Sequence, residues 1–370
     1  MINIAILGCT GSIGRQTLDI VRNNRDKYRV VGLSCGSDVN GLVEAAKEFD
    51  CNTLGIADEN KACEVKRLLP HADLYCGDQA LTAVAKLAHT VVVAVVGMVG
   101  LKAVLAALEN KQTVALANKE SLVAGGALVK KALENGGKIC PVDSEHSAVW
   151  QCLQGEKAFR RIILTASGGP FYFTDKTEFA AITPERAVAH PNWRMGRKIS
   201  VDSATMMNKG LEIIEARWLF DTFDIDYVIH PESIVHSMVE FADGSIKAQA
   251  SFPDMRLPIQ YAITYPDHAP REFKPLSLPL SLRFFPPDED KFPAPKLAKQ
   301  ALKAGGTACT ILNAANEAAV QLFLDGKITF DRIVTTVEDA LNSTPVEKIE
   351  DADGVFQTHK RVYDKIYLKY

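Results

Sequence analysis

Two carboxylates, Asp143 and Glu145, follow a short apolar run, Gly137 to Val142, and a single residue separates them. The run predicts a strand, and alternate side chains at the end of a strand share one side. Two carboxylates that point into the same space repel each other unless a cation holds them together. The spacing is therefore compatible with a cation site. Taken alone, however, this segment favours a strand-to-helix turn with Asp143 or Ser144 as a helix N-cap, because acidic and hydroxyl residues are common at helix starts.

A second group of polar side chains begins at Ser203, and the spacing becomes helical from Asn208 onward. Asn208, Glu212 and Glu215 follow the helical repeat and share one face. Ser203, Asn208 and Lys209 are expected to converge near the start of that helix, where a phosphate is best held. A face that carries phosphate ligands and a carboxylate favours function over a plain amphipathic helix.

The elements that position these groups start with Ile2 to Leu7, a buried-strand pattern followed by a glycine turn, Gly8-Cys-Thr-Gly-Ser-Ile-Gly14. A helical pattern from Arg15 to Asn23 comes next. Strand, glycine turn and helix are typical of the first βα turn of a dinucleotide fold, where the helix N-terminus faces the pyrophosphate. The alternative is a tight βα turn without a ligand.

The second predicted strand, Arg29 to Ser34, ends at Gly36-Ser37-Asp38. A Rossmann fold contacts the adenosine ribose at this point. No Arg follows immediately to receive a 2′-phosphate, and Asp38 could accept a hydrogen bond from a ribose hydroxyl. Taken by itself, this turn favours NAD.

Further apolar strands are predicted at residues 52–57, 90–96 and 113–117, with helical patterns between them. This alternation predicts a parallel sheet covered on both faces. The last of these strands leads into Asn118 and Lys119, and ligands of such sheets bind beyond the carboxyl ends of the strands. Lys119 is therefore expected to face substrate or cofactor, although a solvated lysine in a capping turn is the alternative.

Three segments farther along the chain complete the candidate site. The strand at residues 160–166 ends in Ser167-Gly-Gly-Pro, which could hold a phosphate but is more often a turn. The stretch His190 to Lys198 predicts either a lid over the substrate or an ordinary surface loop around Trp193. A hairpin is predicted at residues 234–252, and its His236 is more often structural than catalytic.

Composition narrows the class of protein. A length of 370 residues predicts two or three domains, and a net charge of −3 with both signs mixed excludes a large basic face for nucleic acid. The eight cysteines lack paired Cys-x-x-Cys spacing, which predicts reduced thiols in a cytoplasmic protein. The apolar run Thr90 to Met98 is too short to cross a bilayer, and the N-terminal segment is expected to be a strand and not a signal peptide.

The chain resembles the 1-deoxy-D-xylulose 5-phosphate reductoisomerase family over essentially its whole length. The matching segments are Gly8 to Gly14, Ala115 to Leu122, Pro141 to His146, Thr165 to Phe171, His190 to Glu212, His230 to His236 and Leu312 to Glu317.

This resemblance implies an α/β protein with a Rossmann-like N-terminal domain, an α+β catalytic domain and a C-terminal α-helical bundle. The expected domains are residues 1–143 for NADP binding, 144–263 for catalysis and dimerisation with the lid, 264–295 as a proline-rich linker, and 296–370 as the bundle. The implied reaction is the NADPH- and metal-dependent conversion of 1-deoxy-D-xylulose 5-phosphate to 2-C-methyl-D-erythritol 4-phosphate in isoprenoid precursor biosynthesis. A homodimer without nucleic-acid or membrane partners is expected.

The resemblance also assigns roles to residues. Mg²⁺ or Mn²⁺ would be bound by Asp143, Glu145 and Glu212, a set of oxygen donors that suits a hard ion. The substrate phosphate would be held by Ser167, His190, Ser203, Asn208 and Lys209. The sugar oxygens would face Lys119 and Ser144, Trp193 and Met195 would belong to the lid, and His236 has a secondary place. The dinucleotide would contact Thr10, Gly11, Ser12, Ile13, Gly36, Ser37, Asp38, Asn118, Glu120 and Gly196.

Two other functions are compatible with parts of the sequence. A sugar-phosphate isomerase or aldolase without a redox step would use the same metal and phosphate ligands. A regulator that senses a nucleotide would keep the fold, although the three carboxylates and the phosphate ligands argue against it.

One position departs from the family pattern and generates a prediction. The family usually has Lys-Asn where this chain has Ser37-Asp38, and Asp38 would repel a 2′-phosphate unless it turns away. We therefore expect weaker discrimination between NADPH and NADH than in a relative with the lysine. Ser37→Lys should raise the ratio of kcat/KM with NADPH to that with NADH, measured by steady-state kinetics, and an unchanged ratio would contradict the assignment.

Overall fold

The computed structural model describes residues 1–189, 193, 195–270, 273–277 and 280–369. Its strands are β1 (Ile2–Leu7), β2 (Tyr28–Cys35), β3 (Thr53–Ile56), β4 (Asp73–Cys76), β5 (Thr90–Val93), β6 (Thr113–Leu116), β7 (Lys138–Pro141), β8 (Arg161–Ala166), β9 (Ile225–Ile229), β10 (Val235–Glu240) and β11 (Ile246–Ala250). Its helices are α1 (Ser12–Arg22), α2 (Val39–Phe49), α3 (Ala62–Leu68), α4 (Ala80–Ala85), α5 (Gly100–Glu109), α6 (Lys119–Leu133), α7 (Ser144–Cys152), α8 (Pro184–Val188), α9 (Arg197–Ala204), α10 (Met207–Phe220), α11 (Arg256–Thr264), α12 (Ala294–Ala304), α13 (Ala308–Leu324), α14 (Phe330–Ser343) and α15 (Ala352–Tyr367).

The chain divides into two compact units. The first consists of Met1–Ser121, Leu128–Ser147 and Asp254–Phe273, and the second of Leu122–Ala127, Ala148–Pro253 and Lys274–Tyr370. The division into four segments expected from the sequence stays a prediction. The predicted fold class is confirmed, since the described residues contain a parallel Rossmann-like sheet, a smaller mixed sheet and a helical C-terminal region.

The first unit is built on a parallel sheet. Its seven strands, counted over the described residues, follow the order β4-β3-β2-β1-β5-β6-β7. Residues 4–7 of β1 are fully buried and β1 pairs in parallel with β2 and β5, so both its edges and both its faces are covered. This explains the continuous apolar pattern of β1, which a half-exposed strand would not have.

The sequence analysis did not identify β4 or β9. The short strand β4 lies at the sheet edge and alternates between exposed and half-buried residues, so it lacks the apolar run that marks the central strands. Strand β9 alternates buried and exposed residues and pairs in parallel with β8. Strand β4 therefore depends on its neighbour more than on its own composition. Strand β9 has the alternation and the β-branched and aromatic residues of a strand, and the sequence analysis missed that signal.

The second unit combines a mixed sheet with the C-terminal helices. The sheet order is β11-β10-β8-β9 among the described residues, and β10 runs antiparallel to both β8 and β11, which confirms the predicted hairpin. Aromatic rings join the helices to the region beside this sheet, where Phe330 lies 5.3 Å from Phe171 and 5.4 Å from Phe179 between ring centroids. Such edge-on pairs add to the free energy gained from burial.

Buried polar contacts connect α13 to α9 within the second unit. The Asn316 side chain donates to Oδ1 of Asp202 at 2.7 Å, and Lys198 lies 2.9 Å from Oδ2 of the same carboxylate. Burial raises the pKa of Glu317, but the hydrogen bond from His359 and the charge of Lys198 outweigh burial, so this pKa lies below its usual range. The helical bundle therefore fixes the helix that follows the predicted lid segment.

No helix in the described part of the chain is long and apolar enough to cross a membrane.

Candidate active site

The glycine turn after β1 is set by very close backbone approaches. A Cβ atom on Gly14 would lie 2.2 Å from the carbonyl oxygen of Gly8 and 2.6 Å from Cα of Cys9. Gly8 has a φ of +84°, and a Cβ there would lie 2.6 Å from the carbonyl oxygen of Ala94, which follows β5. These glycines therefore bring the loops after β1 and β5 together at the carboxyl edge of the sheet, where nucleotides bind in this fold.

Helix α1 begins at Ser12, earlier than the start at Arg15 that was predicted from the sequence. Gly14 lies inside its first turn because a side chain there would collide with the preceding loop. Gly11 is the N-cap and has no side chain to accept hydrogen bonds from the first-turn N–H groups. The segment Thr10 to Ile13 thus presents a helix N-terminus that suits a phosphate group.

The turn after β2 uses Asp38 as a helix cap. Its Oδ1 accepts a hydrogen bond from the backbone N–H of Gly41 at 3.0 Å, at the start of α2. Its Oδ2 lies 3.5 Å from a terminal guanidinium nitrogen of Arg15. Gly36 and Ser37 are exposed in the same turn. The carboxylate is therefore both fixed by a cap and paired with a cation from the first turn of α1.

The start of α6 holds Asn118 and Glu120 inside the protein. Nδ2 of Asn118 donates to the carbonyl oxygens of Val95 at 3.1 Å and Gly97 at 2.9 Å, and to Glu120 at 2.8 Å. Asn118 is 1% exposed and Glu120 is 6% exposed. These bonds position the loop after β5, and a direct contact of either residue with a dinucleotide stays a prediction.

The carboxylates at the end of β7 lie at a helix start. The strand ends at Pro141, and α7 begins at Ser144. The expectation that Asp143 and Glu145 share one side at the end of a strand is therefore wrong, and the predicted strand-to-helix turn is confirmed. Asp143 makes the contacts of an N-cap, since its carbonyl accepts from Ser147 and its Oδ1 accepts from the N–H of Glu145 at 3.4 Å. The N–H groups of a helix start favour carboxylates, which explains why the chain turns there.

Within the first unit, the same carboxylates meet Lys119 and Ser144. The ammonium of Lys119 contacts Oδ2 of Asp143, with both side chains largely buried. Ser144 donates a hydrogen bond to Glu145. The fully buried His146 places Nδ1 3.8 Å from Oδ2 of Asp143. The sequence analysis quoted His146 only as part of a motif, because a histidine inside a helix carries no spacing signal of its own.

A glycine turn in the second unit follows Ser167 and packs against the end of α9. Gly168 and Gly169 have φ values of +83° and +64°, and the N–H of Gly169 donates to Oγ of Ser167 at 3.2 Å. A Cβ on Gly169 would lie 2.6 Å from the carbonyl oxygen of Ser203. Ser203 lies in the last turn of α9, immediately before the turn that leads into α10. The turn that carries Ser167 therefore contacts the backbone of Ser203.

The first turns of α10 carry a buried polar cluster. Lys209 and Glu212 are 4% and 1% exposed, and their ammonium and carboxylate groups are in contact. Asn208 donates its amide hydrogen to the other oxygen of Glu212. A buried ion pair is a weak contributor to stability compared with well-packed apolar side chains. Its presence here therefore favours the functional interpretation of this helix face over simple packing.

The predicted lid segment is described only in part, because His190 lies outside the described residues. Trp193 is half-buried and its ring centroid lies 6.3 Å from that of His236. Met195 is half-buried, and Gly196 is the exposed N-cap of α9. His236, which has a secondary place in the site implied by the resemblance, therefore lies near the lid tryptophan.

The structure thus groups the predicted residues into clusters inside each unit. In the first unit, the loops after β1, β2 and β6 carry the predicted cofactor residues other than Gly196, and Lys119, Asp143, Ser144 and Glu145 form the carboxylate cluster. In the second unit, Gly196 precedes α9, the turn after Ser167 contacts the backbone of Ser203, and Asn208, Lys209 and Glu212 form the α10 cluster. Arg15 was assigned no role from the sequence. A cation for the 2′-phosphate was expected only in the turn after β2, whereas Arg15 lies in α1, after the glycine turn.

Three family profiles match the chain. The profile described as 1-deoxy-D-xylulose 5-phosphate reductoisomerase matches residues 4–126, its C-terminal domain matches residues 139–220, and the DXP reductoisomerase C-terminal domain matches residues 250–365. Two relatives carry the same name. That of Desulfitobacterium hafniense (strain DSM 10664 / DCB-2) is 47% identical over 95% of this chain and 97% of its own length. That of Clostridium perfringens (strain 13 / Type A) is 45% identical over 100% of both chains.

Solved structures agree with these relatives. The 1-deoxy-D-xylulose 5-phosphate reductoisomerase of Zymomonas mobilis, in complex with NADPH, is 41% identical and superposes with a TM-score of 0.92 over 99% of this chain and 98% of its own. A DOX-P reductoisomerase in complex with NADPH, fosmidomycin and magnesium is 39% identical, with a TM-score of 0.94 over 100% of this chain and 98% of its own.

The close approach at Gly14 generates a stability prediction. Gly14→Ala should lower the free energy of unfolding by about 1–3 kcal/mol, because its Cβ would overlap backbone atoms that cannot turn aside. Gly36→Ala is the matched control, since a Cβ there meets nothing within 4 Å. Thermal denaturation followed by circular dichroism measures both, and equal melting temperatures for the two variants would contradict the expected overlap.

Proposed function

The chain belongs to the 1-deoxy-D-xylulose 5-phosphate reductoisomerase family, and we propose that it catalyses the NADPH- and divalent-metal-dependent conversion of 1-deoxy-D-xylulose 5-phosphate to 2-C-methyl-D-erythritol 4-phosphate. This reaction supplies a precursor of isoprenoids. Similarity over the full length of named relatives carries the proposal. The carboxylate, phosphate and nucleotide clusters of this chain supply the side chains that the reaction requires.

Asp143, Glu145 and Glu212 are the proposed ligands of Mg²⁺ or Mn²⁺. Their donor atoms are all carboxylate oxygens, which hard divalent cations prefer. Asp143 and Glu212 each contact a lysine ammonium in their own unit, so positive charge already balances these carboxylates. When bound, the metal would act as a Lewis acid toward the adjacent carbonyl and hydroxyl oxygens of the substrate.

The polar side chains near these carboxylates handle the sugar. Lys119 lies beside Asp143. Its ammonium can donate a hydrogen bond to a substrate oxygen, or keep a proton close to that oxygen. Ser144 donates a hydrogen bond to Glu145, and it can donate that bond to a substrate hydroxyl instead. The carbon skeleton rearranges before reduction, and these donors stabilise negative charge as it develops on the sugar oxygens.

The phosphate group is assigned to the second unit. Ser167 and Ser203 offer hydroxyl groups, and Asn208 and Lys209 offer an amide and an ammonium near the start of α10. His190, outside the described residues, is assigned to the same group by the resemblance. Binding energy from a phosphate that does not react can be used to orient the sugar and to close Trp193 and Met195 over it.

The nucleotide is assigned to the carboxyl edge of the parallel sheet. NADPH supplies the hydride that reduces the rearranged aldehyde. The helix N-terminus at Thr10 to Ile13 faces the pyrophosphate, and the turn at Gly36 to Asp38 faces the adenosine ribose. Asn118 and Glu120 hold the loop after β5 in place, and Gly196 is assigned a cofactor contact by the resemblance.

Homodimer formation and a cytoplasmic location belong to the same proposal. The edge strand β11 pairs with β10 on one side and has an exposed Ile246, so a second copy could extend the sheet there. All eight cysteines are free thiols, as is usual for proteins of a reducing compartment.

The decisive assay follows the absorbance of reduced nicotinamide. Adding 1-deoxy-D-xylulose 5-phosphate to the protein with NADPH and Mg²⁺ or Mn²⁺ should oxidise the cofactor and yield one equivalent of 2-C-methyl-D-erythritol 4-phosphate, identified by mass spectrometry. A chelator should abolish the absorbance change. A sugar product formed without loss of absorbance would identify a non-redox isomerase or aldolase instead.

Glu212→Gln tests the metal assignment. The amide has the size of the carboxylate but no negative charge, so we expect Mn²⁺ affinity and metal-dependent kcat/KM to fall by about a hundredfold or more. Asp221→Asn is the matched control, since it removes one charge at the exposed end of the same helix. Binding of Mn²⁺ by electron paramagnetic resonance gives a readout independent of turnover.

Normal metal-dependent turnover in Glu212→Gln, with substrate binding intact, would show that this carboxylate is not a metal ligand. Equal losses in Asp221→Asn would attribute the effect to net charge.

A further inference from the structure

A cation from an unexpected element lies in the turn assigned to the adenosine ribose. Arg15 follows the last glycine of the turn after β1, whereas Asp38 caps the helix after β2. Their side chains meet at 3.5 Å, between a terminal guanidinium nitrogen and Oδ2. The strands β1 and β2 are neighbours in the sheet, which brings the two turns together at its carboxyl edge.

The guanidinium of Arg15 is oriented by a second contact. Its Nε donates a hydrogen bond to the carbonyl oxygen of Thr10 at 2.8 Å, which ties the side chain back to the glycine turn. The side chain is nevertheless 67% exposed, so its terminal nitrogens face solvent at the edge of the predicted nucleotide site. An oriented, accessible guanidinium is the group best suited to bind a phosphate with two parallel hydrogen bonds.

Asp38 is oriented in this position by the helix that it caps. Its Oδ1 accepts from the N–H of Gly41 at 3.0 Å, and only a glycine at position 41 leaves room for the carboxylate, since a Cβ there would lie 2.5 Å from Oδ2. The same Cβ position lies 2.9 Å from a methyl carbon of Thr10, so the turns after β1 and β2 pack directly against each other. The cap bond therefore favours a carboxylate beside the ribose position.

We propose that Arg15 binds the 2′-phosphate of NADPH and that its pairing with Asp38 sets the preference between NADPH and NADH. This inference rests on the proposed function and adds a specificity-determining residue to it. In this chain Ser37 offers no positive charge in the turn after β2. Arg15 provides that charge from α1, and it also neutralises the carboxylate that would otherwise repel the phosphate.

The pair has opposite consequences for the two nucleotides. A 2′-phosphate carries more negative charge than Asp38, so it competes well for Arg15, because exposed ion pairs of this kind are weak. A ribose 2′-hydroxyl can instead donate a hydrogen bond to Asp38, which leaves Arg15 where it is. The preference for NADPH is therefore expected to depend on Arg15 and to be limited by Asp38.

Equilibrium binding to the full chain, without substrate or metal, tests the proposal independently of turnover. The probes are NADPH, NADH and the fragments adenosine 2′,5′-bisphosphate and adenosine 5′-monophosphate, measured by calorimetry or fluorescence. For Arg15→Ala, we expect the dissociation constants of NADPH and the bisphosphate to rise about tenfold or more, with those of NADH and the monophosphate within about twofold.

Three further variants separate the contributions. Arg22→Ala removes the same charge at the other end of α1, where Arg22 pairs with Glu48, and should leave all four affinities unchanged. Arg15→Lys should recover part of the affinity for the bisphosphate, because it restores charge without the planar fork. Asp38→Asn should strengthen NADPH binding and weaken NADH binding. The loss of NADH affinity should be the same when Arg15 is also replaced, because the hydrogen bond from the 2′-hydroxyl to Asp38 does not involve Arg15.

Equal losses of NADPH and NADH binding in Arg15→Ala would overturn the proposal, as would affinities unchanged from those of the wild type. The same holds if Arg22→Ala weakens the bisphosphate as much as Arg15→Ala does. None of these results would contradict the proposed reductoisomerase activity, because that activity is tested by the product that the protein forms. Conversely, a protein that binds the bisphosphate through Arg15 but forms no reduced product would refute the proposed function and retain this inference.

Discussion

Buried carboxylates that need a positive partner impose the strongest constraint on this structure. Asp143 contacts Lys119 in the first unit, and Glu212 contacts Lys209 in the second. Removing a charge from water is costly, and well-packed apolar residues of the same volume would often give a more stable protein. The two ion pairs therefore make the protein less stable than apolar residues would, and we attribute their presence to their chemical role. The elements around them hold both partners in place.

Close backbone contacts provide that support. The loops after β1 and β5 touch at Gly8, α1 packs onto its own turn through Gly14, and the turn at Gly169 lies against Ser203. At each of these points a single added Cβ atom would force apart backbone segments of which at least one carries predicted ligands. Because parallel strands deliver their following loops to one edge of a sheet, small residues there let polar groups from distant parts of the chain converge.

Several side chains predicted to bind ligands are already committed to protein partners. Asn118 donates to two carbonyl oxygens of the loop after β5, and Asp38 caps α2 while it pairs with Arg15. Such bonds fix the orientation of a site before a ligand arrives, which lowers the entropy lost on binding. The same residues can therefore position a loop and define which nucleotide the loop accepts.

Much of the chemistry was visible in the sequence. The glycine turn, the pair Asp143 and Glu145, and the helical spacing of Asn208 and Glu212 were each identified from residue types and local periodicity. The central strands were also predictable, since β1 and β5 are continuous apolar runs. The edge strand β4 was not, because half of its side chains face solvent and its strand conformation depends on pairing with β3.

The sequence by itself determined which chemical groups the chain carries and the order of most of its strands and helices, because both follow from local composition and spacing. Only the tertiary structure decided between the two interpretations of Asp143, which precedes a helix and does not lie in the strand, and showed that Arg15 lies beside Asp38. The ion pair between Arg15 and Asp38 forms because β1 and β2 are neighbours in the sheet. That strand pairing is a contact between residues distant in sequence, and no local pattern encodes it.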